Sequence, residues 1–586
     1  MAVAAGKPEA LPLGHDTNPP AGDFSSAWLV APASLRKVLG LAALPVLISI
    51  WALLSPPVVL SLEMTWDFLF NLAGAWHLHF GHVPHVDFHE PVGQLNFLLT
   101  AIGFDLVGFG PPAFLVGSVL MAVALFVAAT GVAWRRLPAV PAAIFVVFVC
   151  LLALMPANVG DRPTAYSFAM SYNRYGWSCI SILFLILFLP AHSGRRIDAV
   201  DIAVAAAVLV AMFYLKMTYF VMGIAALFVA AFVCPHVRRA HAGWTAVAIG
   251  AFALAVAPFN RPYWADLLAA AGSGQLRNEL SDYINSFLTY VSEYAPYLAA
   301  LAVALWMWRR RDAPLRLPVA TGFILAASSA LLSQNAQTHR LPAAVVIVFL
   351  FYAVLRERRL RHLHGGSLGL LLALLVFPLL SIGTSLKSLS SYHRDAMRQN
   401  AQIIDSTNLR GLAVRPAEPG LLAAFSSGPA DYHLLNRVRA VSPRFELSPG
   451  EYVETLLDAA ALLKKIPGGV GRVVVLDQVN PFPFMLGLTP PRGGNLWAWT
   501  GAPLQPAEKV FADADHVLIP KFSTYSLWTN RALAAYGPHL ERRFPIRSES
   551  KSWILLNRGP AASAGGDGGQ PASAALLATE ATEQAP

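Results

Sequence analysis

Long apolar runs alternate with short polar breaks over the first two thirds of the chain. The runs lie near 38–60, 112–134, 138–156, 176–190, 199–214, 217–234, 243–258, 291–308, 316–333, 341–355 and 367–385. About 20 apolar residues cross the ~30 Å hydrocarbon core of a bilayer, so the pattern predicts eleven membrane spans. Paired basic residues sit in the breaks: Arg36-Lys37, Arg135-Arg136, Arg195-Arg196, Arg238-Arg239, Arg309 to Arg311, and Arg356 to Arg361. Lys and Arg concentrate in cytoplasmic loops. With a cytoplasmic N-terminus and two helices meeting at Lys216, all six clusters face the cytoplasm. A single helix over 199–234 would send the last three to the other side.

This topology places a large loop, 63–111, outside the cytoplasm. Within it, Trp66–Phe80 has helical spacing. Phe68, Leu69, Leu72, Ala73, Trp76 and Phe80 form a face suited to the membrane surface, and Gly81 ends the helix. Residues 94–108 are apolar but short for a span and read as an interfacial or re-entrant helix. Further outer segments are 157–175, 259–290 and 333–340.

After Leu386 the pattern changes. Residues 387–558 read as a soluble extracytoplasmic α/β domain, with strand-like runs at 421–425, 472–477, 516–522 and 552–557. Ser448-Pro449-Gly450-Glu451 is a capping-box helix start. A second helix is expected at Asn530–Tyr536, ended by Gly537-Pro538. Residues 1–36 and 559–586 are rich in small residues without periodicity and read as disordered. Residues 37–386 form the membrane domain. The fold class is thus an α-helical polytopic membrane protein with a C-terminal extracytoplasmic α/β domain.

Composition agrees. Of 586 residues, 56% are hydrophobic and 13% charged, against about 25% charged in soluble domains. The formal net charge of +9 lies in the inter-span clusters rather than on a nucleic-acid-binding face. Cys150, Cys179 and Cys234 lie in or beside apolar runs and read as core residues. Residues 1–33 lack the apolar core of a signal peptide.

Candidate chemistry gathers outside the cytoplasm. The stretch Thr65–Leu95 holds Asp67, Asp87, Glu90 and five histidines. His85, Asp87, His89 and Glu90 flank a Pro-containing turn and are the best subset there for substrate contacts or a divalent metal. Asp161 is a further metal candidate. Basic residues suited to a phosphate are Lys216, Arg340 and Arg174, with Arg162 and Arg261 behind them; Arg offers a planar fork of donors. A Lys at mid-bilayer depth costs ~2.5–3.5 kcal/mol, so Lys216 needs an interface, a cavity or a partner.

An Asp soon after the first span, then Gly81-His82-Val83-Pro84-His85-Val86-Asp87-Phe88-His89-Glu90-Pro91, resembles the GT-C class of membrane glycosyltransferases. That class includes the protein O-mannosyltransferases and the aminoarabinose transferases. The segment 339–351, opening on His339-Arg340-Leu341-Pro342, is similar to a late span of the class. The chain departs from the class pattern at Phe68, Glu90 and Val92. The resemblance implies a polyprenyl-phosphate-linked sugar donor, transfer at the outer face of the inner (plasma) membrane, and Asp67 as base or metal contact. It implies a lipid, glycan or protein acceptor, no nucleic acid, and a possible divalent metal held by Asp67, Asp161 and His89. A transporter or scaffold for lipid-linked saccharides, or a member that has lost activity, stays open on these residues.

Overall fold

The computed structural model describes residues 33–191, 195–272, 280–334, 340–357, 366–398, 401–405, 407–417, 447–499, 501–524 and 526–559. The two tails, the run at 421–425 and most of the polar segment 333–340 lie outside these residues. The chain forms two compact units. One holds Met1–Leu62, Pro91–Arg261 and Leu276–Asn400; the other holds Glu63–Glu90, Pro262–Gln275 and Ala401–Pro586.

In the first unit a helix meets every run read as a span: Leu35–Leu54, Pro112–Ala133, Ala139–Leu154, Ser171–Phe188, Arg195–Leu215, Met217–Val233, His241–Val256, Val291–Arg309, Arg316–Gln334, Val345–Glu357 and Gly366–Arg398. Three of these, Leu35–Leu54, Pro112–Ala133 and Arg316–Gln334, are by themselves long and apolar enough to cross a membrane. The helices Ala139–Leu154 and Ser171–Phe188 are buried on nearly every side, as befits helices apolar all round. Others turn apolar side chains outward, among them Leu44, Leu47 and Trp51, Val127, Phe232, Phe252 and Leu380. Large exposed apolar faces of this kind suit contact with lipid.

Several boundaries differ from the sequence reading. The first helix ends at Leu54 rather than near 60, because Pro56 and Pro57 have no N–H to continue it. The last helix runs unbroken from Gly366 to Arg398, so a boundary at 386 falls inside it. The break at Lys216 is as expected: its backbone is extended, φ −163° and ψ 125°, between two helices. Arg135 and Arg136 are not solvent-facing anchors. Both are buried, and both pair with Asp201 on the helix Arg195–Leu215.

The short helix Leu95–Val107 packs closely on Pro112–Ala133. A Cβ on Gly103 would lie 2.1 Å from the Ala113 carbonyl oxygen, so only glycine permits this approach. Gly103→Ala forces the helices apart and is expected to cost about 1–3 kcal/mol, the usual range for overpacking. The check is a fall in the thermal midpoint of the detergent-solubilised protein.

The second unit contains a four-stranded sheet in the spatial order Val473–Val475, His516–Pro520, Trp553–Asn557, Ile546–Glu549. The first pair is parallel and the others antiparallel. Alternation puts Val517, Ile519 and Ile554 into a core with Trp528, Ala532, Tyr536, Leu540 and Phe544 of the helix Ser526–Arg543. On the opposite face Trp553 is fully buried, and its Nε1–H donates to the Thr455 carbonyl at 2.7 Å on the helix Pro449–Leu463. The capping box at Ser448 and Glu451 forms. The helix expected to stop at Gly537-Pro538 continues to Arg543; burial of Leu540 and Phe544 outweighs the one donor that Pro538 lacks.

The helix Thr65–His79 belongs to this unit and is not a surface helix. Its residues from Asp67 to His77 are all buried. Trp66 packs edge-on to Tyr452, Phe70 to Trp497 and Trp76 to Phe484, and Trp76 Nε1–H donates to the Leu488 carbonyl at 2.8 Å. An apolar pattern that continues round a helix marks a core position rather than an interface.

Candidate active site

Asp67 lies in the first turn of Thr65–His79 and is 6% exposed. Met64, in the left-handed conformation at φ 48°, precedes the helix and its carbonyl accepts the Asp67 N–H at 2.9 Å. Among the described residues its carboxylate has neither a hydrogen-bond partner nor an ion-pair partner. Burial pushes its pKa up to about 7. A helix N-terminus favours a carboxylate anion, yet loss of water is the larger effect here. The side chain is a carboxyl group that changes protonation near neutral pH.

The Gly81–Pro91 motif is spent differently. Asp87 closes its own turn: Val83 N–H donates to Asp87 Oδ2 at 2.7 Å and Asp87 N–H to the Val83 carbonyl at 2.9 Å. The exposed Arg492 lies 3.6 Å from Asp87 Oδ1. The segment is knitted to the loop Gly493–Leu496 by three backbone bonds: Gly493 N–H to Asp87 O, His89 N–H to Gly494 O, and Leu496 N–H to His89 O. His85 Nδ1 and His89 Nδ1 reach the two oxygens of Asp266 at 2.9 and 2.7 Å, and the Glu90 N–H reaches Asp266 at 3.0 Å. Lys509 Nζ lies 2.9 Å from His89 Nε2. His77 and His82 face each other through Nδ1 at 3.0 Å. Burial, with His82 beside it, pushes His77 down to about 3, so this pair carries no charge on His77 at neutral pH.

Asp266, Lys509 and Arg492 were not singled out by the sequence. Asp266 stands in an ordinary amphipathic helix, Arg261–Gly272, with no local motif.

The first unit holds the basic candidates. Arg174 is fully buried; one nitrogen donates to the Ala157 carbonyl at 3.3 Å, and Nε and Nη2 have no partner among the described residues. Beside it in sequence, Asn173 accepts from Lys216 Nζ at 3.4 Å through Oδ1 and has no partner for Nδ2. Lys216 also lies over the Tyr172 ring, 5.5 Å from its centroid. These donors can take an anion. Arg340 lines a separate cavity of about 20 Å³ with Asn158, Asp161, Ser385 and Ser388, room for a water or two.

Of the metal candidates, Asp67 and His89 lie in the second unit and Asp161 in the first. Among the described residues no three His, Cys, Asp or Glu side chains are arranged to hold an ion, and His89 has both ring nitrogens engaged by Asp266 and Lys509. A cation ligand beside the Lys509 ammonium would also be disfavoured by repulsion.

No family model and no curated protein matches the chain. Among solved structures it is similar to ArnT from Cupriavidus metallidurans in the apo state, at 12% identity and TM-score 0.45, covering 89% of this chain and 99% of that one. The same protein bound to undecaprenyl phosphate gives 13% identity and TM-score 0.44 over 89% and 99% of the two chains. The arabinofuranosyltransferase AftD from Mycobacteria gives 13% identity and TM-score 0.38 over 91% of this chain and 40% of that one.

Proposed function

We propose that this chain is a membrane glycosyltransferase that moves a sugar from a polyprenyl-phosphate-linked donor to an acceptor hydroxyl on the outer face of the cytoplasmic membrane. The observation that carries the reading is Asp67: a buried carboxyl group without a partner among the described residues, poised to titrate near pH 7. A general base works best when its pKa lies near the working pH. Eleven spans, a cytoplasmic N-terminus and an extracytoplasmic C-terminal domain complete the arrangement.

In the reaction, the Asp67 carboxylate takes the proton of the acceptor hydroxyl. The acceptor oxygen attacks the anomeric carbon of the donor, and the bond from that carbon to the phosphate oxygen breaks. The lipid phosphate leaves with the electron pair. Within the first unit, Arg174, Asn173 and Lys216 offer donors of the kind a lipid phosphate takes. Each charge-assisted bond gained by the leaving group lowers the barrier as charge develops. No step is routed through a metal.

The test uses the full-length protein in lipid nanodiscs with a panel of polyprenyl-phosphate-linked pentoses and hexoses and a membrane-lipid extract as acceptor. At least one donor should be converted to free polyprenyl phosphate. Arg174→Gln should lower kcat/KM about 10²-fold, roughly 2.7 kcal/mol of leaving-group stabilisation. No conversion of any donor, or an Arg174→Gln variant at the wild-type rate, would count against the reading.

A further inference from the structure

Three elements far apart in sequence converge on Asp266. His85 and His89 come from the turn after the first outer helix, Asp266 from Arg261–Gly272, and Lys509 from the short helix Ala507–Val510. All four side chains belong to the same compact unit. Asp266 is 8% exposed, as is His85, and His89 is 9% exposed. Burial alone raises the Asp266 pKa; the bonds from His85, His89 and the Glu90 N–H outweigh it and hold the carboxyl below its ordinary value. Asp266 is therefore an anion and can only accept.

That fixes both imidazoles. An ammonium has protons and no lone pair, so Lys509 can only donate to His89 Nε2. His89 must then carry its proton on Nδ1 and give it to Asp266 Oδ1. His85 faces the other oxygen through Nδ1 at 2.9 Å, so it too is protonated there. In the neutral ring the second nitrogen, Nε2, then carries the lone pair, and no partner for it lies among the described residues. The ring is held flat against Tyr263, centroids 4.5 Å apart and planes 28° apart. Tyr263 and Asp266 stand three residues apart on one helix face. His85 itself has φ +66°, a conformation that costs a non-glycine residue about 1–3 kcal/mol and persists only where the surroundings over-determine it.

We propose that Asp266 is a positioning residue: it locks His85 and His89 as Nδ1–H tautomers and so presents His85 Nε2 as a hydrogen-bond acceptor for a ligand hydroxyl. That this hydroxyl belongs to the sugar acceptor rests on the transferase reading; the tautomer lock does not.

The experiment is a long-range proton–nitrogen correlation spectrum of the full-length protein labelled with ¹⁵N-histidine, with His85→Gln and His89→Gln for assignment. Both rings should appear as the Nδ1–H form. In Asp266→Asn the single amide oxygen can accept from one ring only, so one ring should change tautomer. The same variant should raise the acceptor KM about 10-fold with kcat within about threefold, the signature of lost ground-state and transition-state binding alike. Asp266→Glu, which keeps two acceptor oxygens, should recover part of the loss. An Nε2–H form of either ring in the wild type, a zinc-bound ring lacking the Nδ1 proton, unchanged tautomers in Asp266→Asn, or a fall in kcat at constant KM would overturn the proposal. A wild-type protein that transfers nothing removes the transferase reading, and the spectra alone then decide the tautomer lock.

Discussion

Asp67→Asn is expected to abolish sugar transfer while making the folded protein more stable at pH 8. The two effects share one cause. The Asp67 carboxyl is buried without a partner among the described residues, and burial lifts its pKa to about 7. Between the ordinary carboxylate range near pH 4 and pH 7, the folded protein holds a proton that the unfolded chain has released. Stability therefore falls as pH rises through that window and reaches its lower plateau above pH 7. A displacement of this size corresponds to roughly 4 kcal/mol, an upper figure for one buried group. Asparagine is uncharged at every pH and escapes that cost. Thermal midpoints of wild type and Asp67→Asn should coincide near pH 4 and separate in favour of the variant at pH 8. Transfer should fall by about 10²–10⁴-fold, the usual contribution of a general base. A variant that is less stable than the wild type at pH 8 would mean that the carboxylate has a partner in solution.

The second large effect is expected at Asp201. Its carboxylate is the shared partner of Arg135 and Arg136: Arg135 Nη2 lies 2.9 Å from Oδ1 and Arg136 Nη1 lies 3.1 Å from the same oxygen. The Arg136 Nε–H also donates to the Leu189 carbonyl at 2.8 Å. Asp201→Ala leaves two buried guanidinium groups without their counter-charge. Breaking a buried pair by removing one partner costs about 3–5 kcal/mol, far more than the pair contributes against an apolar replacement. The expected result is a large loss of folded, monodisperse protein after solubilisation. Replacing both arginines by leucine in the Asp201→Ala background should recover much of it, because no charge is then stranded. Equal stability of Asp201→Ala and wild type would show that the pair is solvated.

Much of the helical framework was legible because a helix that must be apolar over 18 or more residues writes its period and length into the sequence. The break at Lys216 was legible from charge alone. Other features depend on partners that no local pattern reveals. The basic pair Arg135-Arg136 has the sequence of a cytoplasmic anchor; only the arrival of Asp201 from another helix makes it a buried pin. The helix Thr65–His79 presents an apolar face that suits a membrane surface, and only the aromatic residues Tyr452, Phe484 and Trp497 show that its whole circumference is covered. The edge strand Ile546–Glu549 has a largely exposed, polar sequence and gave no apolar run to find. At the candidate site, Asp67 was singled out by its place after the first span. Asp266 was not, since it lies 177 residues from His89 in the chain and its helix carries no motif. Composition gathers the histidines in one stretch but does not show that His85 and His89 meet one carboxylate, Asp266, or that His89 also meets Lys509.

In the proposed reaction Asp67 acts as a base whose pKa lies near neutrality. The most direct test of this role is the pH dependence of kcat/KM for transfer from a polyprenyl-phosphate-linked sugar by the full-length protein in nanodiscs. The rate constant should rise tenfold per pH unit on the acid side and level off with an apparent pKa near 7, since only the ionised carboxylate can take the proton. A profile that is flat from pH 5 to pH 8, or that falls as pH rises through 7, would contradict it.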